Sequence, residues 1–327
     1  MSIKERIPIL LEEKRELTVK EMTDIMGVSK QGIHVALKQL LQRGEVVKFG
    51  RAPMTIYRLP ERDLLHEMEE LYIDSKSEEF LDKHFLLITE LGEMLEGLKG
   101  FSLWCRKRNL PVVKTISEYI KTRKKYEQYY NSLQLINGLP KLNNTKGYED
   151  IYLDQLFYLD FYAIERFGKT RLGTLLHFAK QGQNKYLMKK LVKEIGPTID
   201  LLLKNRDFDA VAFVPPTIRR ETQIMKYLER YLEINLPQVT VHKVSGIIAV
   251  PQKSLSRIEE RINNAEKTFA VTESVKFNHL LLIDDAVGSG ATLNQIAGKL
   301  KRKDIAKKVT GLAMVASFKG FDVITDI

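Results

Sequence analysis

His279-Leu280-Leu281-Leu282-Ile283-Asp284-Asp285-Ala286-Val287-Gly288-Ser289-Gly290-Ala291-Thr292-Leu293 joins a short apolar run to two adjacent carboxylates and a string of small residues. A run this short and this apolar predicts a strand buried on both faces of a parallel sheet. The carboxylates Asp284 and Asp285 stand at its C-terminal end, where open α/β sheets place their ligands. Ala286, Val287, Gly288, Ser289, Gly290 and Ala291 let successive backbone N–H groups converge on an anion at the start of a helix predicted over 293–300. Ser289 and Thr292 add hydroxyl donors. Two acids beside an anion cradle repel a bare phosphate. They suit a sugar phosphate, whose hydroxyls donate to the carboxylates while the loop holds the phosphate. A P-loop is excluded, because no lysine follows the last glycine. His279 precedes the strand and reads as a surface or packing residue.

Working outward, Ala210 to Val214 predicts a second buried strand that runs into Pro215-Pro216-Thr217-Ile218-Arg219-Arg220. Arg219 or Arg220 suits a diphosphate, since guanidinium grips phosphate oxygens in a bidentate fork, and at least one of the pair is expected to face solvent. Farther on, Pro251 to Asn264 carries Lys253, Arg257 and Arg261. Arg257 and Arg261 lie four apart beside Glu259 and Glu260, so they also read as the solvated face of a helix.

The 279–293 stretch resembles the phosphoribosyl pyrophosphate (PRPP) signature of the type I phosphoribosyltransferases. Phe178-Ala179-Lys180-Gln181-Gly182 resembles the N-terminal Lys-Tyr-Gly segment of the ComF-like members, and 251–264 with Phe269 resembles their mobile basic hood. The resemblance covers residues 150–327 and implies a type I phosphoribosyltransferase α/β fold with a parallel sheet and a small hood. It implies PRPP as substrate or ligand, with Mg2+ bridging its oxygens and supported by Asp284 and Asp285. Ala286 to Thr292 would cradle the 5-phosphate, Pro216, Thr217, Arg219 and Arg220 would form the pyrophosphate loop, and Lys253, Arg257 and Arg261 would close over the diphosphate. Such a transfer is positioning plus charge stabilisation of the departing pyrophosphate, which makes Asp284, Asp285, Lys253 and Arg257 the implied catalytic residues. One position departs from the pattern. Purine-salvage members carry an aspartate three residues after the second acid, where this chain has Gly288. The loop therefore lacks a general base, which weakens a 6-oxopurine salvage assignment.

The first sixty residues have a different character. Ile3 to Glu13 predicts a helix with Ile7, Leu10 and Leu11 inward, and Thr18-Val19-Lys20-Glu21 matches a capping box that starts a second helix. After the turn Gly27-Val28-Ser29, a third helix over 30–42 buries Ile33, Leu37, Leu40 and Leu41 and leaves Lys30, Gln31, His34 and Lys38 outside. Glu45–Lys48 and Thr55–Leu59, around Gly50-Arg51, predict a hairpin. This order resembles a winged helix-turn-helix over the whole segment. The resemblance implies DNA binding, with Gln31, His34 and Lys38 reading base edges and Lys30, Lys48 and Arg51 neutralising phosphates. The modest +4 charge of the segment also leaves room for a winged helix used only for protein contacts or dimerisation.

Charge and composition frame these parts. The chain has 327 residues, 44% hydrophobic and 29% charged, which fits a globular protein of two domains or one large one and argues against disordered, collagen-like and membrane-spanning classes. One cysteine, Cys105, excludes an intrachain disulfide framework, and the N-terminus lacks a secretory signal, so a cytoplasmic location is expected. The net charge of +10 divides into +4 over 1–60, −2 over 61–150 and +8 over 151–327. Within the middle, 61–98 carries −9 and 99–130 carries +7. Opposed signs fit two helices attracting each other; alternatively Arg106, Lys107, Arg108, Arg123, Lys124 and Lys125, with Tyr126, Tyr129 and Tyr130, form a nucleic-acid groove. Turn formers near 137–144 place a boundary close to residue 145. The expected domains are a winged helix over 1–60, a charged helical connector over 61–149 and a PRPP-binding domain over 150–327. The resemblances imply a homodimeric DNA-binding regulator that responds to PRPP or a nucleotide. They also accommodate an active transferase acting on nucleotides or nucleic acid, for example a retron-type antiviral effector with a nucleoprotein partner, and a nucleobase salvage enzyme.

Overall fold

The computed structural model describes residues 2–51, 54–59, 73–216, 218, 220–244, 255 and 257–317. Contacts divide the chain into two units, Met1–Tyr72 and Ile73–Ile327.

In the first unit, α1 (Ile3–Lys14) is followed by β1 (Glu16–Thr18), α2 (Val19–Met26), α3 (Lys30–Gln42) and the strands β2 (Val47–Arg51) and β3 (Met54–Arg58). The caps explain these boundaries. Thr18 Oγ1 accepts from Glu21 N–H at 3.2 Å while the Glu21 carboxylate accepts from Thr18 N–H at 2.7 Å, closing the box that starts α2. Gly27 ends that helix in the left-handed region at φ 64°, and Ser29 Oγ accepts from Gly32 N–H at 3.2 Å to start α3. Ile7, Leu11, Met22, Ile33, Leu37 and Leu40 form a common core, which fixes the helices against one another. Sequence periodicity does not reveal β1, a three-residue strand that pairs antiparallel with β3 and widens the hairpin into a sheet of order β1-β3-β2.

The second unit begins with α4 (Ser75–His84), β4 (Leu86–Ile88), β5 (Met94–Glu96), α5 (Gly97–Arg106) and α6 (Val112–Glu127), and continues through β6 (Ile136–Asn137) and the short helix α7 (Leu139–Asn143). Then come β7 (Gln155–Phe161), β8 (Ala163–Ile164), β9 (Gly168–Lys169), α8 (Arg171–Gln181), α9 (Lys185–Lys204), β10 (Ala210–Phe213), α10 (Ile224–Tyr231) and β11 (Val241–Lys243). The chain proceeds through α11 (Ile258–Thr268), β12 (Phe269–Val271), β13 (Phe277–Val287), α12 (Ala291–Arg302) and β14 (Ala306–Ala316). The sheet has the order β10-β13-β14-β7-β6, parallel except for β6 at the edge. Leu280 to Ile283 of β13 are fully buried, as a central parallel strand requires. One face of the sheet packs on α8, α9 and α10 together with Leu86 and Leu135, the other on α12, α11 and the rest of the 73–143 segment.

That segment is where the expected organisation differs most. Residues 61–72 lie outside the described residues, but from Ile73 onward the expected connector packs into the second unit. Phe85, Phe101, Trp104, Tyr119 and Phe167 stack edge-to-face and offset in one aromatic cluster. Arg123 and Tyr126 are buried rather than lining a groove. Arg123 Nη1 lies 3.3 Å from Asp160 Oδ1, and the Tyr130 hydroxyl and Phe161 N–H donate to the same oxygen. Arg123 Nη2 lies 3.2 Å from His84 Nδ1. Guanidinium only donates, so Nδ1 accepts and the imidazole proton rides on Nε2. Burial, aided by the Arg123 charge, pushes His84 down to about 3 and keeps it neutral. Lys107 and Lys125 pair with Glu90 and Glu165. Removing Asp160 leaves a buried guanidinium unpaired, so Asp160→Ala should cost about 3–5 kcal/mol in chemical denaturation, far more than Lys125→Ala at its exposed pair.

Candidate functional site

β13 runs through the acid pair and ends at Val287, so Asp284 and Asp285 lie inside the last turn-free stretch of the strand rather than beyond it. Asp284 is in register with Ala313 of β14, and Ala286 with Val315. Gly288-Ser289-Gly290 makes the turn, and α12 starts at Ala291, two residues before the expected start. Gly290 is the N-cap at φ 87°, where glycine adopts the left-handed backbone without strain. The first amides of α12, which have no partner within the helix, then face the loop together with half-buried Thr292 and Ser289. Open amides of this kind favour an anion, and Asp284 and Asp285 precede them on the strand.

Period-two alternation sends the two acids to opposite faces of the sheet. Asp285 is buried and meets Lys180 Nζ at 2.5 Å, from the last turn of α8. Asp284 stays half-buried, and its Oδ1 accepts from Asp285 N–H at 2.8 Å. Burial raises Asp284 to about 7, the Asp285 charge adds to the rise, and Lys180 opposes it. Such a carboxylate is poised to take a hydroxyl or a divalent cation. Among the described residues no cluster of three or more His, Cys, Asp or Glu is placed to hold a metal. With Asp285 turned to the other face and paired with Lys180, a Mg2+ here would have Asp284 as its protein carboxylate and would draw its other oxygens from water and a bound diphosphate.

The surroundings assign several predicted residues to other work. Arg220 Nη1 donates to the Lys180 carbonyl at 2.5 Å and Nη2 to Gln181 Oε1 at 2.8 Å, so Arg220 caps the end of α8 rather than pointing into a diphosphate site. Arg261 is buried, with Nε donating to the Leu255 carbonyl at 2.8 Å, whereas Arg257 is exposed at the N-cap of α11. Pro216 follows β10 half-buried, and Thr217, Arg219 and Lys253 lie outside the described residues. Sequence reasoning named Lys180 only through the resemblance of its segment, and missed Tyr148 and Lys141. The Tyr148 hydroxyl donates to the Ser289 carbonyl at 3.0 Å, and the Lys141 ammonium donates to the Ser317 carbonyl. His279 is a packing residue, with Nε2 at 2.9 Å from Thr310 Oγ1 and its ring against Phe208.

In the first unit, Lys30, Gln31, His34 and Lys38 are exposed on α3 as the periodicity predicts. His34 and Lys38 share a groove with Gln42, Tyr57 and the exposed Lys48 of β2. Arg51 closes β2, with its side chain outside the described residues. Among the described residues no helix is long and apolar enough to cross a membrane.

No family model matches the chain, and no curated protein matches it. Among solved structures it is similar to a hypoxanthine phosphoribosyltransferase from Staphylococcus aureus, at 14% identity and a TM-score of 0.26, over 42% of this chain and 68% of that one.

The acid pair does make a stability prediction. A carboxylate raised in the folded state contributes stability below its unfolded value, and that contribution is lost as pH rises through the folded value near 7. Asp284→Asn removes the charge, so it should raise the thermal midpoint of the second unit by about 2–6 °C at pH 8 and leave it nearly unchanged at pH 4.

Proposed function

We propose that the chain is a DNA-binding protein carrying a PRPP-binding domain of phosphoribosyltransferase type, and that it acts as a regulator responding to PRPP or a nucleotide. The observation that carries this reading is the end of β13, where an acid pair, a glycine-rich turn and a helix N-terminus converge in one loop. The loop amides and Thr292 take the 5-phosphate, Asp284 accepts from the ribose hydroxyls, and Lys180 holds Asp285 in place behind it. Mg2+, held by the Asp284 side of the pair and by diphosphate oxygens, would neutralise the pyrophosphate. The cations expected above the diphosphate are Arg219, Lys253 and Arg257.

The first unit is read as a winged helix-turn-helix. Its third helix presents Lys30, Gln31, His34 and Lys38 on one exposed face, and the β2–β3 hairpin supplies Lys48 and Arg51 as the wing. A homodimer reading paired half-sites follows from that mode of binding. Regulation then requires that the sugar phosphate bind differently to the DNA-bound and DNA-free states.

A second reading, turnover of PRPP on a nucleotide or nucleic-acid acceptor, is favoured by the intact loop: both acids, Ser289 and Thr292 are in place. Pyrophosphate release decides between the two. The regulator predicts a PRPP-dependent change in DNA affinity without release when the full chain is mixed with Mg2+, PRPP and a panel of bases and nucleic acids. Release that disappears in Asp284→Asn and Asp285→Asn would overturn it in favour of the transferase. For the first unit, replacing both Lys30 and Lys38 by Glu should abolish most DNA binding. Neutralising them as Gln should lower the slope of log affinity against log salt by about 2. An unchanged slope would remove these lysines from the interface.

A further inference from the structure

Lys141 stands apart from the other lysines near the loop because its charge has no protein counter-ion among the described residues. It is half-buried on α7, its ammonium donates to a neutral backbone carbonyl, and burial pushes it down to about 8 with no carboxylate offsetting the shift. Keeping an ammonium out of water without an opposite charge is costly.

Three contacts fix where this charge sits. Ser317, whose carbonyl Lys141 holds, donates its N–H to the Val287 carbonyl at 3.2 Å, which ties the end of β14 to the last residue before Gly288. The neighbouring Leu142 covers Gly290 so closely that a Cβ there would lie 2.7 Å from Leu142 Cδ1. The Tyr148 hydroxyl reaches the Ser289 carbonyl at 3.0 Å. The segment 141–148 thus runs along the 288–290 turn from one side, and Lys141 is its half-buried cation, Lys146 being exposed. On the opposite face, Lys180 is already committed to Asp285.

We propose that Lys141 is the counter-charge for the phosphate group of a sugar phosphate bound by the 288–292 loop. Its four-carbon stem lets the ammonium leave the Ser317 carbonyl and pair with a phosphate oxygen. In a site sheltered from water that pairing is far stronger than on the surface. The backbone amides give the phosphate its geometry, and Lys141 gives it charge. This inference rests on the sugar-phosphate reading of the loop and adds to it a residue outside the signature stretch.

The test uses the full chain and two probes measured by calorimetry, ribose 5-phosphate and Mg2+-pyrophosphate. Lys141→Met should weaken ribose 5-phosphate about tenfold, or about 1.4 kcal/mol, and leave Mg2+-pyrophosphate within twofold. Lys141→Arg, which keeps the charge, should recover most of the loss. The Met variant should also melt at a higher temperature than the parent, since it removes an unpaired buried charge, whereas a structural tether would melt lower. Equal weakening of both probes, or unchanged ribose 5-phosphate affinity, overturns the assignment while the sugar-phosphate reading stands. A parent chain that binds neither probe nor PRPP removes that reading and this one with it. Should Lys141→Met not fold, Lys141→Gln is measured in the same way, and failure of both to fold shows a tether and overturns the proposal.

Discussion

Adjacent carboxylates at the end of a buried strand repel each other and lose their hydration together, so the strand end needs a cation against it. Lys180 is that cation, and its 2.5 Å contact with Asp285 sets much of what surrounds it. To deliver the ammonium, α8 must lie on one particular face of the sheet with its last turn level with the acids. Arg220 then holds that last turn from the loop after β10, through the Lys180 carbonyl and the Gln181 amide. The pair, the helix end and the loop form one hydrogen-bonded unit. Asp284, left on the other face, is the acid with an unfilled role, and its raised value follows from the same arrangement.

What could be read from the sequence was whatever depends on local spacing. The box at Thr18 and Glu21, the left-handed Gly27 and the cap at Ser29 fix α2 and α3 through contacts three residues apart. The apolar run of β13 marks itself as central because both faces are filled. The boundary of α12 was misplaced by two residues, since Ala291 and Thr292 have no apolar periodicity and the helix is started by the Gly290 backbone. Long-range pairing was not legible. Arg123 and Asp160 belong to segments that look, one by one, like a basic helix and an apolar strand with a stray acid. Their partnership appears only when β7 is laid into the sheet. Arg220 shows the same limit of local spacing: a guanidinium suits a helix C-terminus as well as a phosphate, and its bonds to the end of α8 are visible only in the fold.

The same lesson applies to charge. The surplus of +8 in residues 151–327 suggested a surface prepared for a diphosphate. The sum does not show which cations are already matched: Arg171 meets Glu194 and Glu96, Lys301 meets Asp154, Arg302 meets Glu266 and Lys180 meets Asp285, and a pair within the segment leaves its net charge unchanged. The cations open to a ligand are told apart by their partners, which a net charge does not record. Lys141 is conspicuous because its acceptor carries no charge, a property invisible in any count of basic residues.

The hydrogen bonds around the loop also fix an order of events. Lys141 reaches Ser317 across 176 residues, and Tyr148 reaches Ser289 across 141. Contacts of that span close late, because the chain entropy of a long loop is lost before any neighbouring contact offsets it. During synthesis β14 is the final strand of the described sheet to leave the ribosome, and until it docks beside β13 the end of that strand lacks the hydrogen bond from Ser317 N–H to the Val287 carbonyl. A chain arrested short of Ser317 therefore has the whole 279–293 stretch without the two hydrogen bonds that Ser317 makes to Lys141 and Val287.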